Sequence, residues 1–160
     1  MDTQRRIAFM EQTFTRQLKT NVAADTKVST LIGINTTMLA VLAALITRAG
    51  EWSVGMVLIL ALSAGGLLIG LLFLSLSSVP RTSKTRSSIV FFGSIAHMDT
   101  EAYGSAVRNI TAEDYLEDLI QQTHSTAEIA TQKYRWIQRA QMAFYISIIP
   151  WLVTVYELAR

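Results

Sequence analysis

Residues 52–79 read WSVGMVLILALSAGGLLIGLLFLSLSSV, twenty-eight positions without a charge, fifteen of them Leu, Ile, Val or Phe. At about −0.4 kcal/mol per such side chain at membrane depth, insertion gains on the order of 6 kcal/mol, while one buried charge would cost about 3 kcal/mol. Nothing in the stretch opposes that gain, so it predicts a membrane helix.

Working outward, residues 28–47 form a second uncharged run of 20 residues, the length that crosses about 30 Å of hydrocarbon as a helix. Only Arg48, Ala49, Gly50 and Glu51 separate the two runs, which predicts an antiparallel hairpin over 28–79 with Trp52 as an interfacial anchor. Residues 140–156 give a third span of 17 uncharged residues that includes Pro150 and reaches about 25 Å at about 1.5 Å per residue. The expected fold is therefore all-α: an integral membrane helical protein with three transmembrane helices and helical extensions in the cytoplasm packed as a bundle.

A chain of 160 residues with 51% hydrophobic residues is too small for several soluble domains and too apolar for one. It has no cysteine, which excludes disulfide frameworks and thiolate metal sites. The first 27 residues hold five cations and three anions and no apolar core, so no cleavable signal is expected. Arg16, Lys19, Lys27, Arg81, Lys84, Arg86, Lys133, Arg135 and Arg139 fall on one side of the three spans, and only Arg48 and Arg160 on the other. The positive-inside rule then places residues 1–27 and 80–139 in the cytoplasm and the tail, 157–160, outside. The basic residues beside the spans suit anionic lipid, and no nucleic-acid partner is expected.

Before the first span, Ile7, Met10, Phe14, Leu18 and Val22 recur at steps of three and four, predicting an amphipathic helix from about Thr3 that runs straight into the membrane. Pro80 ends the second span, an apolar patch at 89–92 precedes Gly93, and a brief helix is expected over 101–108. Thr111 with Asp114 three residues on resembles a capping box, and no Gly or Pro follows until Pro150. Along that long helix Leu116, Ile120, Thr123, Ala127, Ala130, Tyr134, Ile137 and Gln141 keep the spacing of a coiled-coil seam.

His97 and His124 have no ligand pair at helical spacing, no phosphate loop or nucleophile elbow is present, and the acids Glu113, Asp114, Glu117 and Asp118 sit at a helix start, where the dipole favours them. The chain is not expected to be an enzyme or to need a cofactor. In the spans, Ser63, Gly66 and Gly70 line one helix face and permit close packing, within one subunit or between copies. Asn35 must find a partner for its amide on another helix, and Asp25 at the membrane boundary is expected to pair with a cation of the third helix. Arg86, Arg108, Lys133 and Arg135, together with Tyr103 and Tyr134, are the residue types that hold a phosphate and stack on a base.

The strings AADTKVSTLIGIN (23–35), FFGSI (91–95) and YLEDLIQQTHSTAEIATQKYRWIQRA (115–140) together resemble the transmembrane effector of Pycsar, the pyrimidine cyclase system of bacterial anti-phage defence. The resemblance implies a multi-pass protein of the bacterial inner membrane, assembled as a homo-oligomer. A neighbouring cyclase would make cyclic CMP or cyclic UMP on infection, and that messenger would switch the effector to impair the membrane and kill the cell. The alternatives are a constitutive anchor or adaptor that binds a protein through the Leu116 seam, and a ligand-independent, holin-like pore.

Overall fold

The structure, a computed structural model, describes residues 2–47, 50, 52–79 and 88–160. Among them are five helices and no strand: α1 (Thr3–Ile46), α2 (Val54–Ser78), α3 (Phe92–Ile95), α4 (Thr100–Asn109) and α5 (Ala112–Ala159). Three of these, α1, α2 and α5, are long and apolar enough to cross a membrane. α1 continues unbroken from the polar amino-terminal segment into the first apolar run, its 44 residues spanning about 66 Å. α2 begins right after Trp52, where the Ser53 hydroxyl accepts from the Met56 N–H at 3.2 Å. At the start of α5, Thr111 Oγ1 accepts from the Asp114 N–H at 3.1 Å and donates to the Asp114 carboxylate at 2.7 Å. Arg48, Ala49 and Glu51 of the expected linker, and the expected stop at Pro80 with residues 81–87, lie outside the described residues.

The inward positions of the long helices follow a strict alternation of three and four. In α1 they are Ile7, Met10, Phe14, Gln17, Asn21, Ala24, Val28, Leu31, Asn35, Met38 and Leu42. In α5 the line runs through Leu116, Leu119, Thr123, Thr126, Ala130, Lys133, Ile137 and Ala140 and on to Ser147 and Thr154. A 3.5-residue period is what left-handed helix packing requires.

This corrects the expected seams in two places. On α5 the positions 116, 123, 130 and 137 hold, but the alternate line lies one residue earlier: Leu119 is 2% exposed and Ile120 is 42% exposed. Choosing the more apolar line turned Lys133 outward, whereas its ammonium has a carboxylate waiting on α1. On α1, Leu18 and Val22 lie outside the buried line, and the polar Gln17 and Asn21 turn inward. Seven-residue periodicity across the whole helix overrides the local apolar count there.

The chain packs as two compact units, and α1 and α5 contribute to each. In the apolar unit (residues 24–79 and 132–160), Ala24, Val28, Leu74, Ile137 and Ala140 form the buried core, flanked by Leu31, Leu71, Phe73 and Tyr134. Phe73 also meets Trp136 with ring centroids 5.8 Å apart. Small residues let the three backbones approach: Ser63, Gly70 and Ser147 are all buried. The other faces, with Leu58, Leu62, Leu68, Leu72, Ile146 and Ile149, are exposed, as lipid-facing surfaces must be. Trp151 Nε1 donates to the Met38 carbonyl at 3.1 Å and ties α5 to α1.

In the polar unit (the described residues of 1–23 and 80–131), the amino-terminal half of α1 lies against the start of α5. Thr3 Oγ1 donates to Glu113 at 3.4 Å and Tyr115 OH donates to Glu11 at 3.0 Å. The loop before α3 is tied to α5 by the Ile89 N–H, which donates to Asp118, and the brief helix expected over 101–108 lies within α4.

Candidate functional site

Ser88 and Asp118 anchor a buried polar node in the polar unit. Asp118 Oδ2 accepts from the Ser88 hydroxyl at 2.9 Å and from the Ile89 N–H at 3.0 Å, and Gln122 Nε2 reaches Oδ1 at 3.5 Å. The Ser88 oxygen in turn accepts from the N–H groups of Val90 at 3.1 Å and Phe91 at 2.9 Å. Tyr103 OH donates to the Ile89 carbonyl at 3.4 Å, so α4 closes over the same loop. These bonds present Phe91 and Phe92, whose rings lie 4.8 Å apart; Phe92 is 71% exposed. Sequence reasoning assigned Asp118 to the helix dipole alone. The one local signal is Ser88 itself, a hydroxyl placed to bond the amides two and three residues on and so to mark a turn.

The second cluster lies in the apolar unit, just where the uncharged run of α1 begins. Lys133 Nζ donates to Asp25 Oδ1 at 2.7 Å, and Lys27 Nζ stands 5.5 Å from the centroid of the Tyr134 ring. The expected pairing of Asp25 with a cation of the third helix is thus present. Lys133 and Tyr134, both nominated for ligand contact, are turned toward α1.

Deeper in the same unit, Asn35 is 1% exposed. Its Nδ2 donates to the Leu31 carbonyl at 2.8 Å, one turn back on its own helix, while Oδ1 has no hydrogen-bond partner among the described residues. A Cβ at Gly70 would lie 3.2 Å from that oxygen and 3.6 Å from the Ala140 carbonyl, so three helices converge there. Gly66 meets the Ser147 hydroxyl in the same way. Gly66 and Gly70 therefore pack against residues of their own chain.

The other nominated residues are distributed. Arg108, in the last turn of α4, extends its guanidinium over Gly104, where a Cβ would lie 3.3 Å away. Arg135 is exposed, and neither it nor Arg108 makes an ion pair among the described residues. Tyr103 and Arg108 belong to the polar unit, Lys133, Tyr134 and Arg135 to the apolar one. Arg86 lies outside the described residues. Of the histidines, His97 Nδ1 donates to the Gly93 carbonyl at 2.6 Å, and His124 lies 3.9 Å from Glu128.

A family model described as the Pycsar effector protein domain, PycTM, matches residues 9–158. No curated protein and no solved structure matches the chain.

Proposed function

This chain belongs to the Pycsar effector family and is a membrane effector of anti-phage defence, and we propose that cyclic UMP or cyclic CMP activates it to permeabilise the bacterial inner membrane and kill the infected cell. The observation that carries this reading is the continuity of α1 and α5, each of which supplies residues to the polar unit and to the apolar one without a break in the helix. A ligand moves such an assembly only through differential affinity for two states. Driving it from about 1:99 to 99:1 requires roughly 10,000-fold tighter binding to the active state.

The polar unit lies in the cytoplasm in this reading, with the amino terminus, and copies of the chain associate in the active state. The protein catalyses nothing and needs no cofactor beyond the messenger. Arg108 in the polar unit or, as an alternative, Arg135 in the apolar one would hold the cyclic phosphate, since neither has an acidic partner among the described residues. Beside Arg108, Tyr103 of the same helix would serve the base. Lys133 and Tyr134 contribute less, since Asp25 and Lys27 occupy them.

Dye uptake by cells expressing the protein, with and without a co-expressed pyrimidine cyclase, tests the function. Uptake that requires an active cyclase supports it; uptake without cyclase indicates a ligand-independent pore, and none in either case an anchor. Titration of the purified protein with cyclic UMP and cyclic CMP tests the contacts. Unchanged affinity in the Arg108→Ala, Arg135→Ala double variant discards both cations as ligands.

A further inference from the structure

We propose that the groove between α2 and α5 is a binding site for one anionic phospholipid, its acyl chain lying along the helices and its phosphate held by Arg139. The groove has a volume of about 550 Å³ and is lined by Gly65, Ile69 and Phe73 on one side and Met142 and Ile146 on the other, with Arg139 its one charged residue. That volume lies within the range of about 300–1,000 Å³ in which proteins bind small molecules.

Length, polarity and charge select the occupant. From Phe73 the groove follows α2 to Leu62, eleven residues or about 16 Å. That is roughly half of the 30 Å hydrocarbon core, the depth of a single leaflet. Gly65 keeps the floor open, since a Cβ there would meet nothing within 4 Å. Arg139 immediately precedes the uncharged run 140–156, and a guanidinium on its long stem reaches from there toward the headgroups. Its guanidinium rests on the Trp136 ring, 4.6 Å from the centroid, and makes no ion pair among the described residues. A stacked guanidinium with unused N–H donors above an acyl-sized groove matches a phosphodiester headgroup, and basic pockets between transmembrane helices recognise anionic lipids in this way. A zwitterionic lipid offers the same chain but adds a cation beside Arg139.

The test is native mass spectrometry of the full chain in detergent, titrated with phosphatidylglycerol or with phosphatidylcholine carrying the same acyl chains. Phosphatidylglycerol is expected to give a single adduct at about tenfold lower concentration than phosphatidylcholine. Arg139→Gln should erase that tenfold preference while keeping the phosphatidylcholine adduct, and Gly65→Phe, which fills the open floor, should weaken both lipids at least several-fold. Neither soluble glycerol 3-phosphate nor cyclic UMP should displace the lipid, which separates this site from that of the messenger. Equal retention of both lipids by the wild type, an intact preference in Arg139→Gln, or displacement by cyclic UMP would overturn the proposal. So would Gly65→Phe leaving lipid binding unchanged, or breaking a lipid-independent dimer, which would give the groove to a second copy of the chain.

Discussion

Lys133 on α5 holds Asp25 on α1 through a 2.7 Å charge-assisted hydrogen bond at the boundary of the apolar unit, with the lysine side chain 15% exposed and the aspartate 57%. The asymmetry decides which partner is costlier to remove. Asp25→Asn leaves a largely buried ammonium without its counter-charge and is expected to cost about 1–3 kcal/mol. Lys133→Met leaves an aspartate that water can reach, and should cost less. Thermal unfolding in detergent ranks the two variants, and equal losses would contradict the burial argument.

Asp118 gathers the loop that carries Phe91 and Phe92. Asp118→Ala removes the acceptor of two short hydrogen bonds and should cost about 2–3 kcal/mol. Hydrogen exchange of the Ile89, Val90 and Phe91 amides is expected to rise selectively, while the exchange of α2 stays as it was.

Gly65, Gly66 and Gly70 of α2 should not tolerate Ala equally. Gly65→Ala meets no atom within 4 Å and should be neutral or mildly stabilising. Gly70→Ala presses on the Asn35 carboxamide at 3.2 Å, and Gly66→Ala collides with the Ser147 side chain. The expected order of destabilisation is Gly66, then Gly70, then Gly65, with about 1–3 kcal/mol for the first. Adding Ser147→Gly should recover part of the Gly66→Ala loss.

Asn35→Leu exchanges a buried carboxamide, its oxygen without a hydrogen-bond partner among the described residues, for an apolar side chain of similar size. The resting protein should gain roughly 1 kcal/mol. If the amide is used only when the helices rearrange, messenger-dependent dye uptake should fall in the same variant. A gain in stability with full activity would assign Asn35 to resting-state packing alone.

Tyr115 lies in the polar unit, well before the apolar part of α5. Burial, reinforced by its hydrogen bond to Glu11 and the charges of Glu11 and Asp118, raises its phenol above the ordinary value of 10.0. The folded state thus keeps a proton that the unfolded chain releases near pH 10, so this stabilisation is whole below that pH and declines as the pH rises through the elevated folded value. The difference in phenolate absorbance between wild type and Tyr115→Phe should appear above pH 10, and Glu11→Gln should bring it closer to the ordinary range.

The number of long helices, the start of α1 near Thr3, the Thr111 cap and the Asp25 ion pair were legible because each rests on a local signal: an uncharged run, a hydroxyl three residues from an acid, a lone carboxylate at a membrane boundary. The choice between Leu119 and Ile120 as the inward position was not. Two apolar lines one residue apart look alike along a helix, and only the partner, here Asp25 for Lys133, selects between them. Ser88 and Asp118 stand thirty residues apart; the local turn at Ser88 is legible, but nothing local pairs it with Asp118. The ligand-contact candidates rest on residue type, which fits two roles at once: Lys133 and Tyr134 suit a nucleotide and also suit α1, where Asp25 and Lys27 meet them.

Pro150 lies inside α5, where its ring offers no N–H to the Ile146 carbonyl one turn back. The helix ladder is one hydrogen bond short at that point, next to the Trp151 indole that donates to the Met38 carbonyl of α1. The far end of the third span thus draws support from the first span as well as from its own backbone, with Thr154 buried one turn beyond Pro150.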